Sequence, residues 1–183
     1  MGYYGRSFEL ANRVRPLKTK ADFKGLKMRC NLPTAVAAVA AMGAAPLKMS
    51  SSEVYMALQR KTIDGVVSGA QSIVKRKWNE TCKYLTLTNG SFSPWPVTVN
   101  TKFWNTLPPD IQQAVMEAAA EVSKISLEQA EKEDAAALSE ARKSMEIYLL
   151  EGEWPEARDA GLSAWRKRSG DETADNVLKL LGM

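Results

Sequence analysis

Arg29 closes the run Ala21-Asp22-Phe23-Lys24-Gly25-Leu26-Lys27-Met28-Arg29, in which Gly25 stops a short amphipathic turn and an apolar-alternating stretch follows. Arginine is a permanent cation with a planar fork of five donors, matched to the two oxygens of a carboxylate. Placed at a strand end just ahead of a helix start, it suits the capture of an organic acid. The bland alternative is a surface or ion-paired strand-end arginine. Other chemistries lack their reagents. The chain has no histidine, the commonest general base and metal ligand. Cys30 and Cys82 have no metal or redox spacing and read as free structural thiols, Cys30 at a buried strand end and Cys82 on a helix. Glu151 and Glu153 form a carboxylate pair that glycosidic chemistry could use, but nothing places them in a pocket. The expectation is therefore a protein that is not an enzyme and needs no cofactor and no metal.

The elements that must position Arg29 follow from punctuation and period. Residues 26–30 read as a strand, and Pro33 opens an Ala/Val-rich helix over 34–42 that Gly43 ends. Residues 46–49 form a short strand. Ser50 and Glu53 have capping-box spacing ahead of a helix that ends near Arg60-Lys61, where cations suit the helix dipole. Residues 63–67 form a strand, 69–78 a helix and 82–88 lead into a strand. Residues 92–100 alternate around two prolines and read as an extended edge segment. Strands alternating with helices predict an α/β fold with a mostly parallel sheet, whose ligands bind at the carboxyl ends of the strands.

From Pro109 to about Met145 there is no internal proline or glycine, and Ile111, Ala114, Val115, Ala118, Val122 and Ile125 recur at spacings of three and four. This predicts one helix on the order of 50 Å long at 1.5 Å per residue. Residues 146–150 suit a strand, and 155–168 and 171–181 suit helices.

The chain has 183 residues and a net charge of +4, with 45% hydrophobic and 25% charged residues, as in globular domains. The basic clusters Lys75-Arg76-Lys77-Trp78 and Arg166-Lys167-Arg168 read as solvated helix faces, and no nucleic-acid-binding module is visible. No apolar run approaches the ~18 residues of a membrane span. The start, Met1-Gly2-Tyr3-Tyr4-Gly5-Arg6, lacks the apolar core of a signal peptide, so the expectation is either a cytosolic chain as written or an export signal on sequence not included here.

The ordered set of motifs resembles the solute-binding subunits of tripartite ATP-independent periplasmic (TRAP) transporters, the DctP-like family. The matching residues are Arg15-Pro16-Leu17, the run from Lys20 to Arg29, Gly43-Ala44-Ala45-Pro46, Ser52 to Gln59, Ile63-Asp64-Gly65, Lys83 to Thr88, Val99-Asn100 and Trp104 to Pro108. The resemblance implies a periplasmic-binding-protein-like α/β lobe over 1–100, a long hinge-spanning helix region over 101–145 and C-terminal helices over 146–183. It also implies a first lobe largely missing upstream. It makes Arg29 the partner of the ligand carboxylate. Asn31 and Leu32, Val67 and Ser68, and the segment from Gly90 to Trp95, with Phe92 and Trp95 as stacking rings, become pocket residues. Asn31 and Ser68 could instead cap the helices that follow them, and Phe92 and Trp95 could be ordinary packed aromatics. The implied function is capture of a small organic carboxylate in the periplasm and delivery to the membrane subunits of a TRAP system, with no nucleic acid partner. The alternative is a truncated interaction module that self-associates through the surface the missing lobe would cover.

Overall fold

The computed structural model describes residues 2–3, 8–88, 95–152 and 154–180. In chain order the elements are β1 (Gly2–Tyr3), β2 (Glu9–Asn12), a 3-10 turn at Lys20–Phe23, β3 (Lys27–Arg29), α1 (Pro33–Ala41), β4 (Ala45–Leu47), α2 (Val54–Gln59), β5 (Gly65–Ser68), α3 (Ala70–Lys75), a second 3-10 turn at Trp78–Glu80, β6 (Tyr84–Leu87), β7 (Trp95–Pro96), α4 (Thr101–Trp104), α5 (Pro109–Ala141), β8 (Glu146–Leu149), α6 (Pro155–Ser169) and α7 (Asp171–Leu180).

Six strands form one sheet in the order β4-β3-β5-β2-β6-β8, and β1 pairs with β7 separately. All neighbouring pairs in the large sheet are parallel except those made by β2, which runs antiparallel to both β5 and β6. The α/β class, the mostly parallel sheet and the long helix are as the sequence predicts. The central antiparallel strand is not: Glu-Leu-Ala-Asn has no apolar alternation to mark it, yet all four residues are buried. At Asn12 the strand crosses Gly65 of β5. A Cβ at Gly65 would fall well inside van der Waals contact with Ala11 O, Asn12 Cβ and Met28 Sδ. Gly65 therefore permits the close approach of three strands.

The pleat divides the core. Leu10, Met28, Cys30 and Val67 face one side, with Leu17 and Phe23 and under α1 and Trp154. Ala11, Val66 and Leu85 face the other, under α2, α3 and the C-terminal end of α5, with Trp78, Cys82 and Ala141. The two cysteines thus lie on opposite faces and are free. Cys82 sits just before β6 rather than on a helix. The predicted 69–78 helix stops at Lys75, and Lys77 turns left-handed at φ 59°.

Three predicted caps are revised. The first residue of α2 is Val54, with Glu53 at the cap; Ser50 donates its backbone N–H to Glu53 Oε2 at 2.9 Å, so only the acidic half of the capping box forms. Ser68 ends β5 and leaves the cap of α3 to Gly69, and Leu32, not Asn31, precedes α1.

Residues 146–149 return to the sheet as β8 beside β6. α5 runs unbroken for 33 residues but buries only Ala130, Ala137 and Ala141, all in its C-terminal half.

Candidate functional site

Because β2 runs backwards, its first residue shares an end of the sheet with the last residues of β3, β5 and β6. Glu9 stands opposite Ser68, and Arg29 stands opposite Val66, one pleat back. Cross-strand partners share a face and alternate residues return to it, so Arg29, Ser68 and Glu9 project to the same side on three adjacent strands. Arg29 is 3% exposed and Glu9 1%. The Thr88 backbone N–H donates to Glu9 Oε2 at 2.7 Å, and the Thr88 hydroxyl donates to Phe8 O at 2.9 Å, which ties the start of β2 to the end of β6.

The Arg29 guanidinium is anchored by neutral acceptors. Nε and Nη2 donate to Met49 O at 3.2 and 3.1 Å, and Nη2 also reaches Ser51 Oγ at 3.2 Å. Its carbon lies 6.0 Å from the centre of the buried Trp78 ring, and Arg76 approaches the same ring at 5.9 Å. Among the described residues no carboxylate pairs with Arg29. Burial lowers its pKa from the ordinary arginine value, and the Arg76 charge acts in the same direction. A buried cation held only by neutral groups is compensated best by an incoming anion. Nη1 makes no hydrogen bond among the described residues, and Nη2 spends one on a single hydroxyl. A carboxylate that displaced Ser51 would meet both.

The other expected pocket residues divide. Ser68 is half-buried at the same sheet end, and Asn31 and Leu32 are exposed just beyond it. Val67 is 4% exposed and packs into the core on the opposite face, which takes it out of the Arg29 surroundings. Phe92, and the segment from Gly90 to Pro94, lie outside the described residues. Trp95 is described only as backbone, where it pairs with Tyr3. Glu9, Met49, Ser51 and Trp78, which surround or neighbour Arg29, were not anticipated. The signal for Glu9 was a lone acid beside Leu10-Ala11. Met49 acts through its carbonyl, which side-chain reasoning does not register.

An open groove of about 580 Å³ also reaches this end of the sheet, but on the far face from the Arg29 guanidinium, between α1 and α6. Phe8, Thr88, Leu150, Trp154, Leu162 and Trp165 line it, and its character is apolar. Burial pushes the Cys30 and Cys82 thiols up to about 12. Such thiols stay protonated and unreactive at neutral pH. Among the described residues no group of three His, Cys, Asp or Glu side chains could hold a metal ion. No helix there is long and apolar enough to cross a membrane.

Comparison with known proteins shows the family and the fold. The family model for bacterial extracellular solute-binding proteins, family 7 (DctP), matches residues 3–169. The chain is 38% identical over 114 residues to the 2,3-diketo-L-gulonate-binding periplasmic protein YiaO of Escherichia coli K12, covering 62% of this chain and 35% of that protein. It is 34% identical over 122 residues to the C4-dicarboxylate-binding periplasmic protein DctP of Rhodobacter capsulatus, covering 66% and 37%. Among solved structures, a TRAP periplasmic solute-binding protein from Ochrobactrum anthropi, with its C-terminus bound in its ligand binding pocket, superposes with a TM-score of 0.82 at 31% identity, over 98% of this chain and 59% of that one. One from Chromohalobacter salexigens with bound D-glucuronate, at 22% identity, shares the fold with a TM-score of 0.83, over 98% and 60%. The chain thus spans little more than a third of these curated relatives and about three-fifths of these solved ones.

Proposed function

The chain belongs to the bacterial extracellular solute-binding proteins of family 7, and on that premise we propose that it forms the Arg29-bearing part of a periplasmic clamp that captures a small organic carboxylate for a TRAP-type membrane transporter. The observation that carries this reading is the buried Arg29 guanidinium, which has neutral acceptors on Nε and Nη2 and no carboxylate partner among the described residues. A ligand carboxylate forms two charge-assisted bonds with the outer edge of that fork, and these strengthen as closure excludes water. Ser68 and Asn31 act as hydrogen-bonding neighbours, and Phe92 and Trp95 as rings against the body of the ligand. Both curated relatives are named for organic acids, a C4-dicarboxylate and 2,3-diketo-L-gulonate, which supports the ligand class.

In this reading α5 is the hinge-spanning helix. Its N-terminal half, with Ile111 45%, Val115 45%, Met116 61% and Ile125 55% exposed, contacts a lobe that these described residues do not include. The function is binding, not catalysis. The comparisons lend no support to the alternative of a self-associating module.

A thermal-shift screen against small mono- and dicarboxylates tests the proposal, with Arg29→Ala as control. At 100 times its dissociation constant a ligand should stabilise the chain by about 2.7 kcal/mol. A shift that disappears in a folded Arg29→Ala variant is the expected result. A shift that survives the substitution removes Arg29 as the anchor.

A further inference from the structure

The basic segments that ligand capture leaves unused are brought together by the fold at the amino end of the sheet. α2 and α3 both lie on one face and run from the carboxyl ends of strands back to the amino ends, and both finish with the same pair: Arg60-Lys61 and Arg76-Lys77. Arg60 and Arg76 occupy the caps, and Lys61 and Lys77 follow in the left-handed region at φ 60° and 59°. Helix ends normally give that position to Gly or Asn. Lys27 opens β3 at the same end: its carbonyl accepts from Asp64 N at 2.8 Å, and Asp64 O accepts from Arg13 N at 3.0 Å. Lys24 lies in the turn just before it.

All six of these cations, Lys24, Lys27, Arg60, Lys61, Arg76 and Lys77, are exposed. None forms an ion pair among the described residues. Acids near them are engaged elsewhere: Asp64 with Arg13 at 2.6 Å, Glu80 with the Tyr55 hydroxyl at 2.7 Å, and Glu146 with Lys83 at 3.6 Å. Two helix C-termini offer about one negative charge between them, far short of six positive ones.

We propose that this end of the molecule is an electrostatic docking surface for an anionic phospholipid membrane. Five of the six cations stand on three separate turns and Lys27 opens a strand, all carrying their charge at the end of a long, flexible side chain. That layout suits a plane of many equivalent, mobile phosphates better than a fixed set of carboxylates on a folded partner. Attachment of this kind is superficial and falls away as salt screens it.

The test is co-sedimentation of the full chain with vesicles of phosphatidylcholine, with and without roughly 30 mol% phosphatidylglycerol. A quadruple variant, Arg60→Gln, Lys61→Asn, Arg76→Gln and Lys77→Asn, removes four charges while asparagine suits the left-handed positions. A matched control, Lys102→Gln, Lys124→Gln, Lys132→Gln and Lys167→Gln, removes four exposed charges elsewhere. The expected result is binding that requires phosphatidylglycerol, is lost between about 0.05 and 0.5 M salt, and falls about tenfold or more in the first variant but not to that extent in the control. Equal losses in both variants, no dependence on phosphatidylglycerol, or tighter binding to polyglutamate than to the vesicles would each overturn it, the last in favour of an acidic protein partner.

Discussion

Arg29 is held by its fork, not by its charge alone, since Nε and Nη2 share the Met49 carbonyl and Nη2 also reaches Ser51. Arg29→Lys keeps the charge and loses the planar geometry, so we expect it to fold and to bind carboxylates at least about tenfold more weakly, measured by titration calorimetry. Ser51→Ala removes a competing acceptor and should leave acid binding intact or improve it. The thiols give a pH prediction. Cys30 and Cys82 have ordinary values near 9.0 and are pushed by burial to about 12 in the fold. The unfolded chain therefore releases protons first as pH rises. The thiols' contribution to stability is complete below pH 9 and is lost as pH climbs towards about 12. Denaturant melts of Cys30→Ala/Cys82→Ala should show a shallower decline across that window than the parent chain. In the native state neither thiol should react with iodoacetamide at pH 8, and both should react on unfolding.

At the scale of elements, β2 and β5 meet at a point with no room for a side chain. Gly65→Ala should destabilise by about 1–3 kcal/mol, and by more if the strands cannot separate, read from the denaturation midpoint at constant slope. α5 behaves as two halves. Residues 128–141 bury Ala130, Ala137 and Ala141 and are tied to α3, where Gln71 donates to Asp134 and Lys75 pairs with Glu133, whereas 109–127 bury no residue. Short isolated helices are marginal in water. Hydrogen exchange should accordingly show amides of 113–127 opening faster than those of 131–141. Substituting Ile111, Val115, Met116 and Ile125 with glutamine should cut binding of an apolar dye while moving the melting temperature little.

At the scale of the whole molecule, one sheet separates two cores, so neither can melt without the other. Met28→Ala on one face and Leu85→Ala on the other, both fully buried, should each cost about 2–5 kcal/mol and shift a single transition, seen alike by circular dichroism and tryptophan fluorescence. Two separated transitions would refute that coupling. Much of this architecture was legible in the residues. Gly43 ends α1, Pro109 opens α5, and the unbroken run from Asp110 to Ala141 makes one long helix, because helix boundaries and period depend on neighbours a few positions apart. The ordered motifs likewise identified the family and singled out Arg29. Other features depended on contacts between residues far apart in sequence. Glu-Leu-Ala-Asn became the central antiparallel strand because two flanking strands satisfy its backbone on both sides. The direction of Arg29 follows from its register with Val66, and its hydrogen bonds from a loop 20 and 22 residues further on. The gathering of Lys24, Lys27, Arg60, Lys61, Arg76 and Lys77 at one end required α2 and α3 to cross back over the same face. Local propensity determined which elements form. Strand order and register, set by long-range hydrogen bonding and burial, determined what faces what.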